Sequence, residues 1–338
     1  MDHLRTILWV AAGLAVFVLA CGQDVSPTVE PAAGPTSRPT AVPTERPAVE
    51  PTVAPQAGSI YELDSTWGND PASGISFMSP NGIAIDSSGN VYVTEFRGNR
   101  VQKFTSDGGL LTAWGSEGSE NGQFQNPTGI AIDSSGNVYV SESGNHRVQK
   151  FTSEGEWLAS WGSRGSGDGE FLSAMVVAVD ADGQLYVSDW GNGRIQVFDS
   201  DGNYLDELGD GGTGDGEFTT PTGVKVDRDG NLWVVDRGNN RVQKFTRDGE
   251  FLAAYGSRGF GPGQFLVPTS IAIDDEGNFY VAEVDNSRVQ IFSPTGEYIA
   301  DLAPGLLSRP HGLAFDNNGN LYVGDTGNSF VRKFKLAE

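Results

Sequence analysis

The residues of this 338-residue chain that could do chemistry are three histidines, one cysteine and a recurring acid–arginine spacing. His3, His146 and His311 would be the ligands of a three-histidine zinc site if the fold brought them together. Glu95, Glu142, Asp189, Asp236 and Glu283 each stand five residues before an arginine: Arg100, Arg147, Arg194, Arg241 and Arg288. A carboxylate paired with a guanidinium beside a channel could orient a substrate or tune a proton transfer. Cys21 could be a nucleophile only with a base beside it, and no serine recommends itself as partner to His311. Which of these readings survives depends on the elements that carry the residues.

Those elements repeat. Phe77, Phe124, Phe171, Phe218 and Phe265 are 47 residues apart. The segments GIAID, GIAID, VVAVD, GVKVD, SIAID and GLAFD end at Asp86, Asp133, Asp180, Asp227, Asp274 and Asp316, so only the last step shortens, to 42. In the second copy GIAID reads as a nearly continuous apolar strand, SSGN as a turn, VYVSE as an alternating strand, SGNH as a loop, RVQKF as a third strand and EWLASWG as a fourth. With 46 glycines and 38% apolar residues, the composition also favours strands and tight turns. Six such units predict an all-β, six-bladed β-propeller, four antiparallel strands per blade, with the innermost strand buried on both faces.

Trp67, Trp114, Trp161, Leu208, Tyr255 and Leu302 hold one position of the repeat, so SIYELDSTWG is a fourth strand standing before the first complete unit. The chain ends after a third strand, NSFVRKFKLAE. The N-terminal strand is therefore expected to complete the last blade and cover its open edge. Three regions follow: 1–20 a signal peptide, 21–56 a linker and 57–338 the propeller.

The stretch NPTGIAIDSSGNVYVSESGNHRVQKF resembles the NHL repeat, with its Pro-x-Gly start, Asp-x-x-Gly-Asn turn, acid ending the second strand and Asn-x-Arg before the third. The resemblance implies the propeller fold, but a spread of functions: sensor domains, platforms for protein or RNA, and occasional lyases. NHL-type peptide-amidating lyases look to three histidines, and gluconolactonase-like hydrolases to carboxylates and asparagine around calcium. Here His3 falls in the signal and His146 in the loop signature, which leaves only His311 facing the channel, so a three-histidine zinc site is not available. The acid–arginine pairs recur in five blades, with Phe330 in place of the arginine in the sixth, and recurrence marks them as structural.

What varies between blades is the candidate site. The position opening the first strand reads Asn81, Thr128, Met175, Thr222, Thr269 and His311; the position after the second-strand acid reads Phe96, Ser143, Trp190, Arg237, Val284 and Thr326. Both rings belong on one face, at the channel mouth. A threonine-rich ring could hydrogen-bond a ligand, with Phe96 and Trp190 as aromatic anchors and Arg237 as a charge. No carboxylate stands in the inner ring, so a calcium-hydrolase arrangement is unsupported. The glycine-rich loops between blades join strand to strand and lack a helix N-terminus for an anion; weak surface calcium binding through Asp168, Asp215 and Glu217 stays open, and no other cofactor is expected.

At the N-terminus an apolar run from Ile7 to Ala20 is too short for a comfortable membrane span, and VLAC resembles the bacterial lipobox, in which Cys21 would be acylated. Prolines at every fourth position from Pro27 to Pro55 then dictate an extended spacer of roughly 35 residues, reaching up to about 100 Å at about 3.1 Å per residue. The net charge of −22 repels nucleic acid. The expectation is a monomeric, lipid-anchored, extracytoplasmic binding or sensory module for a protein, peptide or saccharide. The competing class is a metal-dependent lyase or hydrolase at the channel.

Overall fold

The computed structural model describes residues 60–68 and 75–337. The expected signal peptide, Cys21 and the expected proline-rich spacer lie outside them. Six four-stranded antiparallel sheets form a ring, in which each innermost strand touches those of its two neighbours, the last meeting the first. Blade 1 comprises Pro80–Ile85, Val91–Glu95, Arg100–Phe104 and Leu110–Trp114, and blades 2 to 5 repeat the order.

Blade 6 closes as the sequence predicts. Its strands Pro310–Phe315, Leu321–Asp325 and Phe330–Leu336 are completed by Tyr61–Trp67, paired antiparallel from Tyr61 opposite Leu336 to Trp67 opposite Val331. Trp67 is buried, its ring 5.8 Å from that of Phe104 in blade 1 and 5.6 Å from that of Tyr322 in blade 6. The closing strand thus joins two blades as well as two chain ends.

Burial corrects one expectation. The second strand of every blade, rather than the first, is buried along its whole length; first strands such as Pro80–Ile85 are only partly covered. The physical reason is the channel, an open space against which the innermost strands present one face.

The repeated phenylalanines anchor the loops between blades. Phe124 is fully buried against Phe151, with ring centroids 5.5 Å apart. Gly115 lets the chain pass over it at φ 101°, where a Cβ would fall 2.5 Å from the ring. Leu307 takes this role before the shortened sixth blade and is also buried.

Candidate functional site

The acid at the end of each second strand is fully buried and surrounded by donors. Glu142 accepts hydrogen bonds from Arg147 Nε at 2.6 Å, Gln149 Nε2 at 2.8 Å, Asn145 Nδ2 at 2.7 Å and the Gln125 amide at 2.9 Å. Arg147 continues to the carbonyls of Ser119, Glu120 and Gln123, tying the inter-blade loop to the blade. Counterpart acid–arginine pairs join Glu95 to Arg100, Asp189 to Arg194, Asp236 to Arg241 and Glu283 to Arg288. These charges are scaffold: their hydrogen-bonding capacity is spent inside the blade.

Blade 6 solves the same problem differently. Phe330 holds the arginine position, and Arg332, two residues on where the other blades have glutamine, donates from Nε to Asp325 at 2.6 Å. Ser308 N and Asn328 Nδ2 complete the shell at 2.7 and 2.9 Å. Position 332 lies on the same side of the strand as position 330, so the guanidinium reaches the acid from one pleat further along.

The threonines of the predicted mouth ring are committed too. Thr128 Oγ1 donates to the Met175 carbonyl of the next blade, Thr269 Oγ1 reaches Pro310 O at 3.4 Å, and Thr222 Oγ1 lies 3.5 Å from Pro268 O. Thr326 Oγ1 donates to Pro80 O, across the seam that closes the ring. Thr128, Thr222 and Thr269 are all buried. They stitch neighbouring blades instead of presenting hydroxyls to the channel.

The mouth itself is a cavity of about 850 Å³. Asn81, Phe96, Thr128, Met175, Thr222, Arg237, Thr269 and His311 all contribute to its wall, as do Val284 and Thr326. Trp190 and Ser143 do not. The lead-in to blade 3 departs locally from the others: Ser173 has φ 130° where its counterparts lie between 48° and 61°, and Ala174 replaces the proline that starts every other first strand. Trp190 is half-exposed and its amide donates to the Ser173 carbonyl at 3.1 Å.

His311 is half-buried at the mouth, with Nδ1 3.0 Å from the Arg309 carbonyl. Because that partner only accepts, Nδ1 carries the proton and Nε2 the lone pair. Burial, reinforced by the charges of Arg309 and Arg237, pushes its pKa down to about 4, so the ring is neutral at physiological pH. His146, in contrast, sits in its loop at φ 55°, the left-handed conformation shared by Asn99, Gly193, Asn240, Ser287 and Ser329 at the same repeat position.

Three further cations in the wall were not among the predicted residues: Arg97, Arg309 and Lys225. Lys225 stands in the first strand of blade 4 where the other blades have Ala84, Ala131, Ala178, Ala272 and Ala314. It projects into the channel, reachable by water yet enclosed by the surrounding blades, and that enclosure lowers its pKa. It also borders a second cavity of about 300 Å³ beneath, with Arg228, Asp275 and Asp316. The signal for it was present in the sequence as GVKVD among five alanine-bearing copies.

A resident divalent cation does not fit this mouth. Such ions take carboxylates, carbonyls or several imidazoles. The wall offers one imidazole among guanidinium and ammonium groups and no carboxylate, and the described residues hold no group of three or more His, Cys, Asp or Glu able to bind a metal. In the glycine-rich loops Glu217 accepts its own loop's Thr213 and Gly214 amides, and Asp215 faces Arg241 at 3.7 Å.

The fold and its mouth define a six-bladed propeller with a ligand-sized cavity at one end of its channel. The family model described as the virginiamycin B lyase family matches residues 75–333, and the chain belongs to that family. A streptogramin B lyase structure aligns with TM-score 0.56 and 17% identity, covering 77% of this chain and 80% of that one. A catalytically inactive histidine-to-alanine virginiamycin B lyase from Staphylococcus aureus, with quinupristin, gives 0.55 at 17% identity over 77% and 81%. A gluconolactonase from Xanthomonas campestris gives 0.60 at 17% identity over 77% and 87%. No curated protein matches the sequence.

Proposed function

We propose that this chain is a membrane-tethered, extracytoplasmic binding propeller of the NHL type, which captures a small ligand, such as a peptide or saccharide, at its channel mouth. The observation that carries this reading is the division of labour between the blades' polar residues. Those repeated from blade to blade are consumed in holding the scaffold, whereas the 850 Å³ mouth is walled by residues that differ between blades, Phe96, Met175, Arg237 and His311 among them. Its size suits a small molecule. The sequence supports the tether through the apolar run ending at Cys21 and the proline spacer.

Membership of a lyase family favours a second reading, elimination or hydrolysis at the same mouth. Against it stands the donor set: a base of pKa about 4 at His311 is weak at neutral pH, and no acid in the wall could act beside it. Thermal-shift screening of the full chain against peptide and saccharide panels tests the binding reading. A stabilising hit should be weakened by Phe96→Ala and Arg237→Ala, with the unliganded variants melting near the parent. Stoichiometric bound metal that is lost in His311→Ala, together with turnover of a hit, would replace this reading with the lyase one.

A further inference from the structure

The chain carries 44 acids against 22 bases, yet the mouth wall holds Arg97, Lys225, Arg237 and Arg309 and not one Asp or Glu. None of these four side chains makes an ion pair or a hydrogen bond among the described residues. The scaffold arginines behave oppositely, each being paired to a buried acid. Arg237 and Arg309 are close enough to oppose each other's charge, and both oppose protonation of His311. Asp285, outside the wall, acts on Arg237 more strongly than Arg309 does and favours its charge. Blades 1 and 4 are opposite in a ring of six, so Arg97 and Arg237 line opposite sides of the mouth. Lys225 lies three residues down the strand from Thr222, about 10 Å deeper. The nearest acids below it are occupied: Asp275 pairs with Arg228 at 2.5 Å, and Asp316 accepts from the Asn318 and Asn320 amides and from Asn320 Nδ2.

Like charges gathered in one wall repel one another, and an anionic ligand would relieve that repulsion. We infer that the mouth binds a small organic oxyanion, a carboxylate or phosphate, held by Arg237 and Arg309 and drawn inward by Lys225. This inference rests on the reading of the mouth as a ligand site and names the ligand's charge. The acidic exterior repels an extended polyanion, while the cavity admits a small one. Guanidinium forks suit oxyanions because each can donate two parallel hydrogen bonds. Lys225, reachable by water in the channel, adds a positive charge below the arginines.

The test is calorimetric titration of the full chain at low salt with inorganic phosphate, succinate and the neutral analogue succinamide. At least one oxyanion should bind, succinamide should not, and Arg237→Gln and Arg309→Gln should each weaken binding tenfold or more. Lys225→Met should weaken binding as well. Trp190→Ala, outside the wall, should bind like the parent. Phosphate-only or succinate-only binding supports the inference and tells which group is recognised. It is overturned if neither oxyanion binds, if succinamide binds as tightly, or if the arginine variants bind like the parent. Parent-like binding by Lys225→Met refutes the role given to that amine. A neutral peptide or saccharide that binds where both oxyanions fail sinks the charge assignment and leaves ligand capture standing; failure of every probe and panel member sinks both.

Discussion

Replacing Arg332 by glutamine should unfold blade 6 more easily, and moving the arginine to position 330 should repair it. In the parent, Asp325 is fully buried and its strongest partner is Arg332 Nε at 2.6 Å. Removing one member of a buried ion pair costs about 3 to 5 kcal/mol, because the remaining charge keeps its desolvation penalty. The new glutamine returns a neutral hydrogen bond worth about 1 kcal/mol, as glutamine does in the other blades, for instance Gln149 to Glu142 at 2.8 Å. The net loss is then roughly 2 to 4 kcal/mol, which at about 2 to 4 °C per kcal/mol for a domain of this size lowers Tm by roughly 5 to 15 °C. Arg332→Gln also loses the 3.3 Å contact from Nη1 to Thr66 on the closing strand, so the N-terminal strand should be released first. The double variant Phe330→Arg with Arg332→Gln recreates the arrangement of the other five blades and should recover most of the loss. Thermal melts by circular dichroism, with hydrogen exchange of residues 61–67, measure both effects. Parent-like melting of the single variant, or no recovery in the double, would show that this pair does not hold the blade.

Three further outcomes follow from the same structure. Trp67→Ala should cost roughly 3 to 5 kcal/mol, the usual penalty for truncating a core aromatic, and removal of residues 61–67 should cost more; chemical denaturation that places either within 1 kcal/mol of the parent would refute closure by that strand. Thr128→Val should cost about 0.5 to 1.5 kcal/mol by removing one of the two hydroxyls that donate to the Met175 carbonyl, Ser141 Oγ at 2.6 Å being the other, with no change in ligand binding; a loss of binding at unchanged stability would return Thr128 to the site. His311 should titrate by NMR near pH 4, against 6.5 for a free imidazole. The folded state then holds fewer protons than the unfolded state between those values, so this histidine's contribution to stability rises with pH from about 4 to 6.5 and is lost on acidification. A midpoint above 6 would contradict the enclosure of the ring.

Most of the fold was legible because a propeller writes itself six times. Strand order, blade count and the closing role of Trp67 follow from the 47-residue period, and comparison among copies marked the acid–arginine pairs as structural, as their bonds inside the blades show. The site was less legible, for reasons of geometry. A position can be assigned to the mouth from its place in the repeat, but not which way its side chain turns: Arg237 enters the cavity wall and Trp190, one blade earlier, does not. Nor does a hydroxyl at the mouth announce whether it is free, and Thr128 is bound to the next blade. Lys225 was missed because attention to the two mouth rings passed over the strand interior, where five alanines and one lysine already marked an exception.

Departures from a repeat therefore need sorting by whether the molecule compensates for them. Phe330 departs, and Arg332 restores the lost charge within the same strand, so the net chemistry of the blade is unchanged. Ala174 departs by removing a proline, and the local backbone shifts at Ser173. Lys225 departs, and nothing answers it: no acid pairs with it, and the wall it joins contains three more unpaired cations. A compensated break is what drift within a scaffold leaves behind. A cation left unpaired among others of the same sign is repelled by them, and a bound anion is the kind of partner that would relieve that repulsion.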